Sequence, residues 1–289
     1  MKAPSTRLWL ALTAIALIVT YWVASAVKRA QSPIAAPGEV VVATWNIAPE
    51  RIEPRLPELT RAFTALNADV IALQEVESYS GLKNLVGALK KQGLDYEITM
   101  PEEREEQSLA VLTRRGIRVR DSDTIPGSDA GNRGLRKAIS VDVQVGSTTV
   151  QVVTLHNKSK RDGDNTEVRD AQCRAIRRYL DDEPTKGGLI VLGDYNMNLV
   201  DDLATFEVLD PRGDLTFLSK PQGREVTQFS PGGKHGYYLD GFAVNRYLQG
   251  RTRNFQIYPM DRLFQRDRGW YRDHVSDHLP LVATVKVSP

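Results

Sequence analysis

Six apolar stretches of this chain each adjoin a polar cluster, and that recurrence constrains the fold more than any other feature. The segments are TWN (44–46), LQEV (73–76), LHNKSK (155–160), LGDYN (192–196), LDGF (239–242) and SDHLP (276–280). A short continuous apolar run reads as a buried strand. The residues that follow such a strand are held at a rigid rim of the core. One polar ending is ordinary, since every strand ends. Six endings that carry Asn46, Glu75, His156, Asp194 with Asn196, Asp240, and Asp277 with His278 require a fold in which several strand ends meet.

The elements between these segments follow from spacing. EVVVATWN (39–46) and DVIALQEV (69–76) read as buried strands. Leu56, Leu59, Phe63 and Leu66 keep helical spacing over 54–66, and Leu82, Leu85, Val86 and Leu89 share one face of a helix over 81–91. SLAVLTR (108–114), RKAISVDVQV (136–145) and TTVQVVTLHN (148–157) read as strands, the last two as a hairpin across Gly146-Ser147. Asp164 to Glu167 resembles a capped helix start, with Val168, Ala171, Ala175, Ile176 and Tyr179 as the buried stripe. GLIVLGDYN (188–196), YYLDGFAV (237–244) and PLVATVKV (280–287) complete the strands. This order predicts an α/β (α+β) sandwich rather than a doubly wound sheet. Neither GxGxxG nor GxxxxGK[ST] occurs, which argues against a nucleotide-cofactor fold.

Residues 8–27 contain no charge, and as a helix they would span roughly 30 Å, one bilayer core. Lys2 and Arg7 precede the run, Lys28 and Arg29 follow it, and Trp9 and Tyr21-Trp22 stand near its ends. It reads as a retained anchor with the domain exported, or as a signal peptide cleaved near Ala24-Ser25-Ala26. Either reading makes the protein membrane-anchored or secreted, with its domain on the periplasmic or extracytoplasmic side. The expected organisation is an anchor or signal over 1–29, a Pro-containing linker over 30–38 and one domain over 39–289.

The 38 basic side chains nearly balance the 36 acidic ones, and four of the basic ones lie in the first 30 residues. Global charge therefore gives no case for a polyanionic partner; any such case is local. The single Cys173 allows neither an intrachain disulfide nor a cysteine-based zinc site. A metal must then be held by carboxylates, amides and the four histidines, an oxygen-rich set suited to Mg²⁺, Mn²⁺ or Ca²⁺. Glu75, Asp194 and Asp277, with the amide oxygens of Asn46 and Asn196, supply such ligands, and His156 and His278 can carry protons near neutral pH. Metal ligands, histidines and further carboxylates together point to hydrolysis of phosphate esters.

TWN, QE, GDYN and SDH, in that order, resemble the endonuclease/exonuclease/phosphatase superfamily. That group includes DNase I-like nucleases, AP endonucleases, inositol-polyphosphate phosphatases and neutral sphingomyelinases. The resemblance covers 39–289 and implies a four-layer α/β sandwich with two packed mixed β-sheets. It implies Asn46, Glu75 and Asp277 as metal-site residues, with Mg²⁺ or Mn²⁺ as cofactor. It implies His156, Asp194, Asn196, Asp240 and His278 as the catalytic set, Asp240 orienting His278, with the general base left unassigned. One departure is Asp240-Gly241-Phe242, whose glycine removes a side chain that could shape the pocket. HNKSKRDG (156–163) is similar to a stretch of secreted bacterial nucleases, which implies Lys158, Ser159 and Lys160 as phosphate contacts; Arg133 is expected at the rim.

Blander readings apply elsewhere. His274 and His235 read as loop histidines, Cys173 as helix packing, and Phe229, Tyr237 and Tyr238 as either stacking or packing residues. The functional expectation is a Mg²⁺-dependent phosphoesterase, an exported and largely sequence-independent nuclease, whose partners are nucleic acid and, through 8–27, the membrane. No obligate protein partner is evident. The alternatives are a phosphatase or sphingomyelinase-like phospholipid phosphodiesterase, and a catalytically silent phosphate-binding relative.

Overall fold

The computed structural model describes residues 38–48, 51–102, 107–185, 187–220 and 225–287. The 8–27 run and most of the 30–38 linker lie outside the described residues. Among the described residues no helix is long and apolar enough to cross a membrane.

In the N-terminal half, strand β1 (Glu39–Asn46) is followed by helix α1 (Leu56–Leu66), β2 (Val70–Val76), α2 (Tyr79–Lys91), β3 (Tyr96–Thr99) and β4 (Ser108–Arg114). Then come β5 (Arg118–Thr124), β6 (Ile139–Val145), β7 (Thr148–His156), α3 (Thr166–Asp182), β8 (Gly188–Asp194) and α4 (Leu203–Leu209). The chain closes with β9 (Leu215–Phe217), β10 (Gln228–Phe229), β11 (Gly236–Tyr237), β12 (Asp240–Asn245), α5 (Arg246–Gln249), β13 (Thr252–Ile257), α6 (Met260–Leu263), α7 (Arg268–His274) and β14 (Leu281–Lys286). One sheet has the order β13-β14-β1-β2-β4-β3 and the other β5-β6-β7-β8-β12-β9, with β10-β11 as a small ribbon. Both large sheets are mixed: β1–β2 and β7–β8 pair in parallel, and their other pairings are antiparallel.

Period-two alternation stacks the layers. On β1, Val40 and Val42 enter the core between the sheets, against Val141, Val152, Ile190 and Phe242 of the second sheet. Val41, Ala43 and Trp45 point the other way, against Leu59 and Phe63 of α1 and Leu82 and Leu85 of α2. On the far side, Val153, Leu155 and Val191 meet Cys173 and Ile176 of α3 and Phe206 of α4. The result is helix, sheet, sheet, helix, the four-layer sandwich expected. Gln74 crosses the inner core, its Nε2 donating to Thr44 Oγ1 (3.0 Å) and to Thr154 Oγ1 of the other sheet (2.9 Å).

Three local expectations change. The run 237–244 is two elements, because Tyr237 pairs in the β10–β11 ribbon while Asp240 begins β12. Arg136 and Lys137 precede β6 rather than belonging to it. The cap of α3 is Asn165, left-handed with φ 53° and making no side-chain cap bond, while Asp164 accepts from Thr166 Oγ1. The α3 face is also more polar than expected. Arg169, Gln172 and Arg177 are buried beside Cys173, Ala175, Ile176 and Leu180, whereas Val168, Ala171 and Tyr179 are half-buried. The reason is that this face ties down loops: Gln172 accepts from Lys158 N (2.8 Å) and donates to Ser128 O (3.1 Å).

Gly193 lets β7 and β8 approach beside the polar endings. Its φ is 135°, and an added Cβ would run into the carbonyl oxygen of Leu155, its partner in the β7–β8 register. We expect Gly193→Ala to destabilise the fold by about 3 kcal/mol through backbone strain and overpacking. A urea titration with an unchanged midpoint would refute that close approach.

Candidate active site

The polar endings converge as the strand pattern required. His156 and Asp194 end the parallel strands β7 and β8 in register, and Asp240 begins β12 opposite Asp194. Asn46 ends β1, and Glu75 stands near the end of the parallel β2. Both sheets thus direct functional groups to one rim.

Asp194 occupies the centre. Its Oδ2 accepts from Asn46 Nδ2 (3.1 Å) and stands 3.3 Å from His156 Nε2 and 3.8 Å from His278 Nε2. Its Oδ1 accepts from the Asn196 backbone N–H (3.0 Å), and Asn196 Nδ2 donates to Asn157 O (2.9 Å). Glu75 Oε1 accepts from Asn46 Nδ2 (3.0 Å) and lies 3.6 Å from His156 Nε2. Two of these residues hold left-handed backbone: Glu75 at φ 57° and Asn196 at φ 51°. Asparagine tolerates that region well, whereas glutamate is held there at a cost of about 1 kcal/mol or more. Glu75 lies within the register shift between Leu73 and Val76 in the β2–β4 pairing. Such a bulge re-aims a side chain.

His278 is fixed from all sides. Its Nδ1 donates to Asp240 Oδ2 (2.8 Å), and its carbonyl accepts from Trp45 Nε1 (3.0 Å) and Tyr271 OH (2.9 Å). Its N–H donates to Ser276 Oγ, which in turn donates to Asn46 O. The TWN and SDH segments, far apart in sequence, are therefore one hydrogen-bonded unit. Asp277 Oδ1 is 4.0 Å from His278 Nε2, and its Oδ2 accepts from Gln228 Nε2 (3.4 Å).

Burial polarises these groups in different directions. It pushes the His156 imidazole well below its usual value, and the charges of Arg136 and His278 add to that. Burial raises the Asp194 carboxyl to about 7; the Asp240 and Glu75 charges add to the rise, and the His278 charge and the Asn46 hydrogen bond oppose it. For His278 burial acts downward, but the carboxylates of Asp240, Asp277 and Asp194 outweigh it and hold the imidazole well above its usual value. The two imidazoles are thus pushed in opposite directions.

Glu75, His156 and Asp194 each offer one ligand atom, and these atoms lie within 4.8 Å of one another. Asp277 Oδ1 is buried with no hydrogen-bond partner among the described residues. Two clustered carboxylates, an imidazole and a further buried oxygen fit a hard divalent cation. Of the three side chains expected to hold that ion, Glu75 belongs to the cluster. Asn46 instead turns its Oδ1 to the Ala48 N–H (3.0 Å) and its Nδ2 to the two carboxylates. In this arrangement its amide nitrogen braces the two carboxylates.

The residues expected to contact phosphate lie on loops, Lys158, Ser159 and Lys160 directly after β7 and Arg133 ahead of β6. Lys158 Nζ pairs with the exposed Asp162 at 2.6 Å, and Lys160 Nζ with the buried Asp202 at 2.7 Å. Lys160 is thus a loop tether as well as a charge. Ser159 is half-buried, with its carbonyl accepting from Asn165 Nδ2 (2.9 Å), and Arg133 lies in an exposed turn. Gly241 serves packing rather than the pocket, since a Cβ there would meet the Tyr195 ring at 2.5 Å. Phe229 and Tyr238 are buried, leaving Tyr237, 59 % exposed, as the accessible aromatic of the β10–β11 ribbon. His274 stacks on Trp270 at 4.6 Å, and His235 is an exposed loop residue.

Two positioning residues escaped the sequence reading. Arg136 is buried and donates to the carbonyls of His156 (2.9 Å) and Asn157 (3.0 Å). Thr227 Oγ1 accepts from the N–H groups of Leu239 (2.9 Å) and Asp240 (3.1 Å), and its carbonyl accepts from Leu279 N. The place of Arg136 just before a strand is the one sequence signal that sets it apart from the exposed arginines; Thr227 carries no sequence signal.

No known family model matches the chain, and no curated protein does. Solved structures do match. D. rerio TDP2 complexed with a single-strand DNA product is 15% identical, with a TM-score of 0.66 over 85% of this chain and 98% of that one. The 3′ phosphatase NExo from Neisseria, bound to a product DNA hairpin, is 19% identical, with a TM-score of 0.65 over 84% and 98%. An endonuclease/exonuclease/phosphatase family protein from Leptotrichia buccalis C-1013-b is 16% identical, with a TM-score of 0.60 over 85% and 99%. The fold is that of these DNase I-like proteins.

Proposed function

We propose that this chain is a divalent-metal-dependent phosphoesterase that cleaves phosphodiester bonds of nucleic acid with little regard to sequence. The observation that carries this reading is the meeting of Glu75, His156 and Asp194 with the Asp240–His278 pair at one rim of two sheets. The DNA products bound to the TDP2 and NExo structures support nucleic acid as the substrate class. When bound, the cation, Mg²⁺ or Mn²⁺, neutralises phosphate charge and polarises the ester. Glu75 and Asp194 would hold it, with Asp277 as a further oxygen. Asn46 keeps the two carboxylates in place. His278, charged and fixed by Asp240, stabilises negative charge that develops on the phosphate. His156, Asp194 and His278 share the proton transfers, and Asn196 with its left-handed backbone orients Asp194. The 8–27 segment anchors or exports the domain, which places this chemistry outside the cytoplasm.

The deciding experiment offers the full-length protein plasmid, linear and single-stranded nucleic acids, sphingomyelin and an inositol polyphosphate, each with Mg²⁺. Cleavage of the nucleic acids, slowing as salt rises, is the expected result. Hydrolysis of the lipid or inositol substrate alone would overturn the nuclease reading. Carbonate washing of membranes should leave the full-length chain in the pellet; a soluble product beginning near residue 27 would instead show cleavage.

Lys158 is the better placed of the two lysines for phosphate, because its partner Asp162 is exposed and such a pair contributes little. Lys158→Ala should raise KM about fivefold and leave kcat within about twofold, as expected when ground and transition states lose the same contact. An equal fall in kcat would show that Lys158 acts on the transition state instead.

A further inference from the structure

Two loops leave the adjacent ends of the parallel strands β7 and β8, where His156 stands opposite Asp194. The first runs from Asn157 to Asn165 and leads into α3; the second runs from Tyr195 to Asp202 and leads into α4. They are pinned together at their roots. The Asn157 N–H donates to Asp194 O (3.0 Å), and Asn196 Nδ2 donates to Asn157 O (2.9 Å).

A second junction lies further out along both loops. Lys160 Nζ stands 2.7 Å from Asp202 Oδ1 and 2.8 Å from its Oδ2, so one ammonium spans both oxygens of the carboxylate. Asp202 Oδ2 also accepts from the Asn198 N–H (3.0 Å), and its Oδ1 lies 3.8 Å from Arg169 Nη2. Arg169, on α3, is fully buried, and its Nη1 donates to Lys158 O (3.3 Å). The other carboxylate near this guanidinium, Asp164, is 80 % exposed. Asp202 is thus the buried counter-charge that Lys160 and Arg169 share.

Burial separates this contact from the neighbouring one. The Asp202 side chain is 5 % exposed, whereas Asp162, the partner of Lys158, is 67 % exposed. An exposed pair contributes little and leaves its lysine free to turn. A buried carboxylate is costly to desolvate and is satisfied only when its partners stand in place. The partners of Asp202 come from both loops and from α3, so one arrangement of the three satisfies it.

For the phosphoesterase chemistry proposed at the rim, we propose that Asp202 is a positioning residue. It straps the Lys160 loop to the Asn196 loop, and so keeps Asn157 and Asn196 in register behind His156 and Asp194. Lys160 serves this strap rather than substrate phosphate, which leaves Lys158 as the phosphate contact. The effect on turnover follows from geometry, since a displacement of about 1 Å in a site can slow a reaction by about 10²-fold.

Hydrogen exchange, read by mass spectrometry on the full-length chain in nonionic detergent, tests the strap without reference to activity. Lys160→Met should speed exchange several-fold across 197–202, and Asp202→Asn should do the same across 157–160. Exchange altered only in the substituted loop would overturn the proposal. Turnover is read on a single-stranded DNA oligonucleotide with Mg²⁺. If the wild type leaves DNA intact, it is read on whichever phosphoester of the panel the protein cleaves, so failure of the nuclease reading does not decide the strap. If the wild type cleaves none, the reading of the rim fails and exchange alone decides the strap.

Each variant should lower kcat about tenfold with KM within about twofold, and the double variant should be no slower than either. Lys160→Arg, which can still span the carboxylate, should keep kcat within about twofold of the wild type. A phosphate contact gives the opposite pattern: Lys160→Met would raise KM, and Asp202→Asn, by releasing the lysine, would lower it. That pattern, unchanged kcat in Lys160→Met, or additive losses in the double variant would each overturn the proposal. Thermal melting checks that Asp202→Asn folds; if it does not, Lys160→Met and Lys160→Arg, at a side chain 39 % exposed, decide the matter.

Discussion

Exhaustive chelation is expected to abolish hydrolysis by this protein, and added Mg²⁺ or Mn²⁺ to restore it. The physical reason is the density of fixed negative charge at the rim. Glu75 and Asp277 bring carboxylates to the rim where an anionic phosphate is expected to bind, with Asp194, its carboxyl raised to about 7, and the buried Asp240 beside them. His278 offsets only part of that charge. Without a cation the site repels its substrate, and the lost Lewis acid contributes several kcal/mol to the transition state. The rate should therefore fall by roughly 10³-fold or more. A readout independent of turnover accompanies this: Mg²⁺ should raise the melting temperature of the wild type and fail to do so in Glu75→Gln. Full activity after chelation, with no ion retained, would remove the metal from the mechanism.

His278→Ala is the second large effect. Loss of a group that supplies charge or a proton in the transition state lowers kcat by about 10²–10⁴-fold. The same substitution strips Asp240 of its 2.8 Å partner. Asp240 is 3 % exposed, so its carboxylate must either stay charged in the core or take up a proton. Breaking such a buried pair costs about 3–5 kcal/mol. Replacing Asp240 by Asn in the same chain should then recover much of the stability and none of the activity. If the double variant is as unstable as the single one, the pairing is not what destabilises the His278→Ala protein. If His278→Ala retains full turnover, the histidine has no part in the reaction.

The polar endings were readable from sequence because each adjoins a run that has no other use than to fill a core. Val40 to Trp45 is buried on both faces, and a strand of that kind ends where the core ends. Asn46 and Asp194 then stand out by contrast with the apolar residues before them, and Asp277 and His278 with those after them. The same logic explains what was missed. The strands absent from the sequence reading include β3, β5, β9 and β13, which are the four edges of the two large sheets. Edge strands pair on one side only and carry polar residues, as RVRDSDT in β5 and TRNFQI in β13 show. Their hydrophobic period is too weak to be seen without the neighbour that recruits them.

Sequence alone determined the mixed α+β class, the central strands and the chemical identity of the groups at their ends, because burial writes itself into local hydrophobic pattern. Tertiary structure decided how those groups face one another. Backbone conformation and long-range hydrogen bonds have no local signature. The left-handed turn of Glu75, the amide of Asn46 directed at two carboxylates, the buried Arg136 beneath His156, and Thr227 behind Asp240 all depend on partners many residues away. The Lys160–Asp202 pair is of the same kind, since its two loops meet only because the parallel strands that carry them lie side by side.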